Sequence, residues 1–189
     1  MQSPNSYFPF FVSLKNRKVL IIGGGKIAYH KLKKLLDFTN NIKLISLEYS
    51  FDMLELIKKY SLEYEQREYI KEDLVGIDFV IVAVDDRFVH KRVYDDSREL
   101  NIFVNSVDNQ KFCDFIFPSI VKEKNLTIAI STNGASPSIS KYLKEYLIQK
   151  LPKNLNTFID EMKDLRETLP KGKERMKLLE QKVKEFFRV

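Results

Sequence analysis

Cysteine, histidine and tryptophan are almost missing from this chain of 189 residues, which has one Cys, two His and no Trp. The lone Cys113 excludes a disulfide framework within the chain and leaves no zinc-finger spacing. His30 and His90 are too few for a multi-histidine metal centre. No apolar run approaches the roughly 18 residues of a membrane span. The first eleven residues have no basic segment ahead of their apolar ones, so no secretory signal is expected. Internal repeats and low-complexity tracts are also lacking. With 44% hydrophobic residues the chain has too much apolar material for disorder, and its length suffices to bury a core. These exclusions leave a cytoplasmic globular protein with no membrane attachment.

The net charge of +6 is unevenly placed. Residues 1–140 carry 19 basic and 18 acidic side chains, whereas residues 141–189 carry 13 and 8. Such a surplus is either a solvated face on terminal helices or a field that draws in a polyanion. Nucleic acid is not expected as a partner, because no basic–aromatic motif or helix-turn-helix signature accompanies the charge.

Hydrophobic periodicity divides the chain in two. Strands are expected at Lys18–Ile22, Ile42–Leu47, Glu63–Gln66, Asp78–Val84 and Ile102–Asn105, with helices over 26–38, 51–60 and 87–100 between them. Strands alternating with helices mean βαβ units and a parallel, doubly wound sheet. Beyond residue 108 the alternation stops. Phe115–Val121 and Leu126–Ser131 read as strands with no helix between them, hence an antiparallel pair or an exchange across a dimer. Ser136 and Pro137 open a helix to about Lys150, and amphipathic helices follow over 155–168 and 173–187. The expected fold is therefore α/β. A Rossmann-type parallel-sheet domain (1–110) is followed by a strand-and-helix region (111–150) and a small C-terminal helical domain (151–189).

Gly23-Gly24-Gly25-Lys26-Ile27-Ala28 fits G-x-G-x-x-G/A at a strand-to-helix junction. There the first glycine allows the turn, the second lets a pyrophosphate reach the backbone, and a small third residue lets helix and strand pack. The helix N-terminus offers unpaired N–H groups to the phosphates. A tight turn with no ligand is the bland alternative. The fingerprint also asks for an acid about 20 positions on, to bond the ribose hydroxyls. Glu48 stands just past the second strand, and no Lys or Arg at 46–50 would greet a 2′-phosphate, so NAD is expected over NADP; otherwise Glu48 is an ordinary loop acid.

Asp108 follows the fifth strand at the carboxyl edge of the sheet, where open α/β folds bind ligands. It is a candidate proton acceptor beside a nicotinamide, or a turn residue with Asn109 and Gln110. Asp85 and Asp86 end the fourth strand, as cleft or turn residues. The hydroxyl-rich loop Ser131–Pro137 either binds a substrate carboxylate or simply caps its helix. His30 reads as a surface residue and Cys113 as a buried thiol.

Four blocks occur in order: FPFFVSLKNRKVLIIGGGKIA (8–28), VIVAVDD (80–86), VNSVDNQKFCDFIFPSIV (104–121) and IAISTNGASPSISKYL (128–143). Together they resemble precorrin-2 dehydrogenase, which also forms the N-terminal module of siroheme synthase. The resemblance implies oxidation of precorrin-2 to sirohydrochlorin with NAD as hydride acceptor, in a homodimer with 111–150 as its dimerisation region and 1–110 as its NAD-binding Rossmann domain. Carried over by motif position, Asp108 is the catalytic aspartate. Gly23, Gly25, Lys26, Ile27, Leu47 and Glu48 hold the cofactor, and Thr132 takes a place near the tetrapyrrole, with Ser136 of the same hydroxyl-rich loop as a further substrate contact. No metal-ligating residue is implied. Some relatives also insert ferrous iron, and this ferrochelatase alternative stays open, because one aspartate can serve both steps. An NAD-sensing module without chemistry is the rival of another class. Asn133 stands in place of a usual glycine, Ser106 in place of a common valine and His30 where arginine is frequent. The methyltransferase module of the fused synthases is not expected, so methylation upstream would come from another protein. The basic surplus then has a partner in the polycarboxylate macrocycle.

Overall fold

The computed structural model describes residues 7–188 and divides them into two compact units, 7–116 and 117–188. In the first, five strands form a parallel sheet in the order β3-β2-β1-β4-β5. They are β1 (Val19–Ile22), β2 (Ile42–Ser46), β3 (Glu63–Gln66), β4 (Phe79–Val82) and β5 (Phe103–Ser106). Helices α1 (Lys26–Leu35), α2 (Phe51–Tyr60) and α3 (Arg87–Glu99) supply the crossovers. Short 3-10 turns at Lys71–Leu74 and Gln110–Phe112, which periodicity did not reveal, close two of the loops.

Burial explains the sequence pattern. All four residues of β1 are buried, because both faces of a parallel sheet are covered by helices and no position can be polar. Register pairs Ile22 with Ile45 on one side and with Val82 on the other, and Val82 with Ser106. Leu20, Ile45, Val80, Val82, Val93 and Val104 pack into one cluster at the sheet centre. β4 is shorter than expected, and α1 ends earlier, at Leu35, where residues 36–38 form a turn closed by the Phe38 N–H to Leu35 carbonyl bond at 2.8 Å.

In the second unit, β6 (Ser119–Glu123) and β7 (Leu126–Ile130) pair antiparallel, so the two-strand expectation resolves as a hairpin within the chain. Lys124, at φ 44°, turns it. Three helices follow: α4 (Pro137–Lys150), α5 (Leu155–Thr168) and α6 (Lys173–Phe187). Ser136 caps α4 by accepting from the Ile139 N–H, with Pro137 in the first turn. Burial here is sparse: Val121, Ser140 and Leu155 are buried, whereas Ile139, Tyr142, Tyr146 and Ile148 on α4 are exposed.

Candidate dinucleotide and active site

The three glycines at the end of β1 do three different jobs. Gly23 has φ +122°, and a Cβ there would lie 2.3 Å from the Ala83 carbonyl oxygen. At Gly24 a Cβ would lie 2.1 Å from the Glu48 carbonyl oxygen, because the loop after β2 crosses directly over it. The middle glycine, an arbitrary position in the fingerprint, is therefore as constrained as the first. Gly25 differs: a Cβ there would meet no protein atom within 4 Å. It is also the N-cap of α1 and gives that helix no side-chain cap, whereas α2, α3 and α4 are capped by Ser50, Asp86 and Ser136. The backbone thus presents an open face and uncapped N–H groups at one point, which fits a dinucleotide pyrophosphate. Ala28, in the third position of the motif, is fully buried, as close packing of helix on sheet requires.

Lys26 and Ile27 form the first turn of α1, and Ile27 stays 44% exposed. Leu47 and Glu48 follow β2 with exposed side chains, the edge where a ribose would lie. Their loop is fixed from beneath. The Ser46 hydroxyl donates to the Glu48 carbonyl at 2.7 Å, and the Tyr49 hydroxyl donates to the Glu65 carbonyl at 2.7 Å. Burial pushes the Tyr49 phenol up to about 12, so it remains a donor throughout the physiological range.

A cleft of about 420 Å3 opens at the carboxyl ends of β1, β4 and β5. Ile27, Val84, Asp85, His90, Val107 and Asp108 are among its lining residues. Of the paired acids after β4, Asp85 faces the cleft, whereas Asp86 caps α3 through a 2.8 Å bond from the Phe88 N–H. Asp108 is exposed and holds φ 60°, a left-handed backbone that aspartate tolerates better than most residues. Its turn is closed by the Asn109 N–H to Ser106 carbonyl bond at 3.3 Å. Cys113, half-buried rather than fully so, reaches back to Ser106: its sulfur accepts from the Ser106 N–H and donates to the Ser106 carbonyl. Burial raises the Cys113 thiol above its ordinary value.

Two neighbours of this turn carried no sequence signal of their own. Lys31, one helical turn after Ile27, lies within electrostatic reach of Asp108 and Cys113. Burial and then Lys34 lower its ammonium below the ordinary range, and the two acids partly oppose this. His90 sits on the buried face of α3 with Val93 and Ser97, a spacing visible in the sequence although the residue's function is not. Ile27 and Asp108 thus share one cleft, next to the glycine turn. Thr132 and Ser136 belong to the second unit. There the Thr132 hydroxyl accepts from the Ser136 N–H and donates to the Ser136 carbonyl, each at 3.0 Å, so the loop's hydroxyls serve capping. Among the described residues no group of three metal-ligating side chains assembles.

A parallel sheet in this order, with a glycine turn open to a phosphate and a cleft at the strand ends, defines a dinucleotide-binding α/β unit. The model of the family described as "Putative NAD(P)-binding" matches residues 10–119, and the chain belongs to that family. Among proteins of known role, it is 37% identical to the siroheme synthase of Photorhabdus laumondii over 151 residues, which are 80% of this chain and 32% of that protein. With siroheme synthase 3 of Aeromonas hydrophila it shares 36% over 149 residues, 79% of this chain and 32% of that protein. The chain spans about a third of the length of these curated relatives. Its fold is also that of a solved structure, the precorrin-2 dehydrogenase SirC, with a TM-score of 0.78 and 28% identity. That match covers 97% of this chain and 92% of that one.

Proposed function

We propose that the protein is an NAD-dependent precorrin-2 dehydrogenase, forming sirohydrochlorin on the way to siroheme. One observation carries the reading: Asp108 and the foot of the glycine-loop helix line the same cleft, in a chain resembling a precorrin-2 dehydrogenase over nearly its full length. NAD, when bound, supplies the hydride acceptor. The uncapped start of α1 holds the pyrophosphate, with Lys26 beside it. Glu48 accepts from the ribose hydroxyls, and the lack of a cation at 46–50 favours NAD over NADP. Ile27, Val84 and Val107 give the cleft apolar walls against which a nicotinamide ring can lie. Aromatising the macrocycle also releases a proton, and the exposed Asp108 carboxylate receives it as general base, an effect typically worth about 10²–10⁴-fold.

Ser136, with Thr132 ordering its loop, is assigned to a substrate carboxylate: the Ser136 hydroxyl accepts from the Ile139 N–H and keeps its proton to donate, whereas the Thr132 proton is held by the Ser136 carbonyl. Residues 111–150 serve as a dimerisation region and 151–189 as a helical domain, and the protein forms a homodimer in the cytoplasm. Support comes from α4, whose apolar side chains are left uncovered. The test is anaerobic incubation of the protein with precorrin-2 and NAD, following NADH and the tetrapyrrole spectrum. NADH and sirohydrochlorin in equal amounts are expected, whereas NAD binding without NADH overturns the assignment. Ferrous iron added afterwards reads metal insertion separately. Asp108→Asn keeps a side chain that tolerates φ 60°. It should cut turnover by about 10²-fold or more while NAD affinity stays within twofold; near-normal turnover would remove Asp108 from its role.

A further inference from the structure

His90 is 4% exposed, yet it lines the cleft and both of its ring nitrogens are engaged. Nε2 lies 2.8 Å from the Val84 carbonyl oxygen and Nδ1 lies 2.5 Å from the Ser106 hydroxyl. A carbonyl oxygen only accepts, so Nε2 carries the proton. Nδ1 then offers a lone pair, and the Ser106 hydroxyl donates to it. The neutral ring in this tautomer is satisfied on both sides.

The positions of the two partners give the bridge its meaning. Val84 immediately precedes Asp85, and Ser106, the last residue of β5, lies two before Asp108. Backbone bonds between the strands end near here: Val82 pairs with Ser106, and the Val107 N–H donates to the Val82 carbonyl. Beyond that point β4 and β5 diverge to form the cleft, and the imidazole spans the gap. The Cys113 sulfur bonds the backbone N–H and carbonyl of the same Ser106. Ser106 is thereby held by two side chains, His90 at its hydroxyl and Cys113 at its backbone, and Asp108 follows in the turn that it anchors.

We propose that His90, acting through Ser106, is a positioning residue. It fixes the separation of the Val84–Asp85 segment from the Asp108 turn, and so the place of the Asp108 carboxylate in the cleft. This deepens the dehydrogenase reading and rests on it for its kinetic test. Displacing a catalytic group by about 1 Å can cost 10²-fold in rate. Accordingly, His90→Ala should lower kcat for precorrin-2 oxidation about 10- to 100-fold, with the KM for NAD within twofold. His90→Gln, whose amide nitrogen reaches the Nε2 position, should restore the Val84 bond and recover part of the loss. Ser106→Ala should reproduce the His90→Ala defect, and combining the two should add little, as for members of one network.

A residue that merely stabilises the fold would lower the melting temperature but leave kcat per folded molecule unchanged. Single variants within twofold of the wild-type kcat would therefore overturn the proposal, and so would additive losses. Ser106→Ala keeps the test alive should His90→Ala not fold. A second readout needs no turnover. With only two histidines in the chain, imidazole nitrogen shifts assign readily, and His90 should show a fixed Nε2–H tautomer at neutral pH beside the exposed His30. A tautomer-averaged His90 signal would sink the bridge. If the wild type bound NAD but gave no NADH, the dehydrogenase reading would fail, while the spectrum would still decide the bridge.

Discussion

Gly24 and Gly25 are neighbours, and the structure separates them completely. A methyl group at Gly24 would drive into the Glu48 carbonyl, which is backbone and has little room to yield. Gly24→Ala should therefore destabilise the protein by about 1–3 kcal/mol, as overpacking does. At Gly25 the same methyl meets nothing from the protein. Gly25→Ala should leave the melting temperature unchanged while weakening NAD binding about tenfold or more, by occupying the space reserved for phosphate. Calorimetric melting and NAD titration of the two variants check this pair. Equal melting temperatures for both would refute the crowding at Gly24, and unaltered NAD affinity for Gly25→Ala would refute the phosphate assignment. Sequence pattern alone ranks these residues the other way, since the fingerprint demands the first and third glycines of the run and leaves the middle one free.

At the scale of elements, the edge of the sheet is held by ions rather than by apolar packing. Asp73, in the 3-10 turn before β4, has a side chain only 3% exposed and takes two bonds from the Arg67 guanidinium and one from the Ile70 N–H. Lys43 of β2 lies 3.6 Å from the same carboxylate and bonds Glu65 of β3 at 2.6 Å. Burial by itself would raise the Asp73 carboxyl, but the Arg67 and Ile70 bonds outweigh it and bring it below its ordinary 3.8. A group depressed in the folded state stabilises fully above its unfolded value and loses that contribution as pH falls through the folded one. Asp73→Asn should thus cost about 2 kcal/mol at pH 7 and almost nothing at a pH far enough below the ordinary 3.8 that the folded carboxyl is protonated too. Urea unfolding of both proteins at the two pH values measures the difference, and a pH-independent gap would point to packing instead. Nothing in the strand EYEQ announces this network. Glu63–Gln66 reads only as a strand, and the partner Asp73 comes from a turn that periodicity does not detect.

Over the whole molecule the two units differ in how well they cover their apolar residues. The first buries a continuous cluster across the central strands, whereas α4 leaves Ile139, Tyr142, Tyr146 and Ile148 in solvent. Of these, Ile139, Tyr142 and Tyr146 share one face of α4, and this uncovered apolar face supports the proposed homodimer. Sedimentation equilibrium should accordingly give twice the chain mass of 22.3 kDa at micromolar concentration, and a 22.3 kDa species would refute the dimer.

The parallel sheet was legible in the sequence because β1 and β4 are apolar throughout, and only a strand covered on both faces tolerates that. The glycine turn was equally legible, since its chemistry is local: a strand, a turn that needs φ near +122°, and a helix start within six residues. Asp108 could be placed at the sheet edge by counting from β5. What counting could not supply is contact between residues distant in the chain. Tertiary structure alone decided that Asp85 faces the cleft while Asp86 caps a helix, and that Lys31 from α1 comes within electrostatic reach of Asp108. It also decided that His90 from α3 joins Val84 to Ser106. Periodicity reports which face of an element is buried, but the partner met on that face depends on the packing of other elements, which no local pattern encodes.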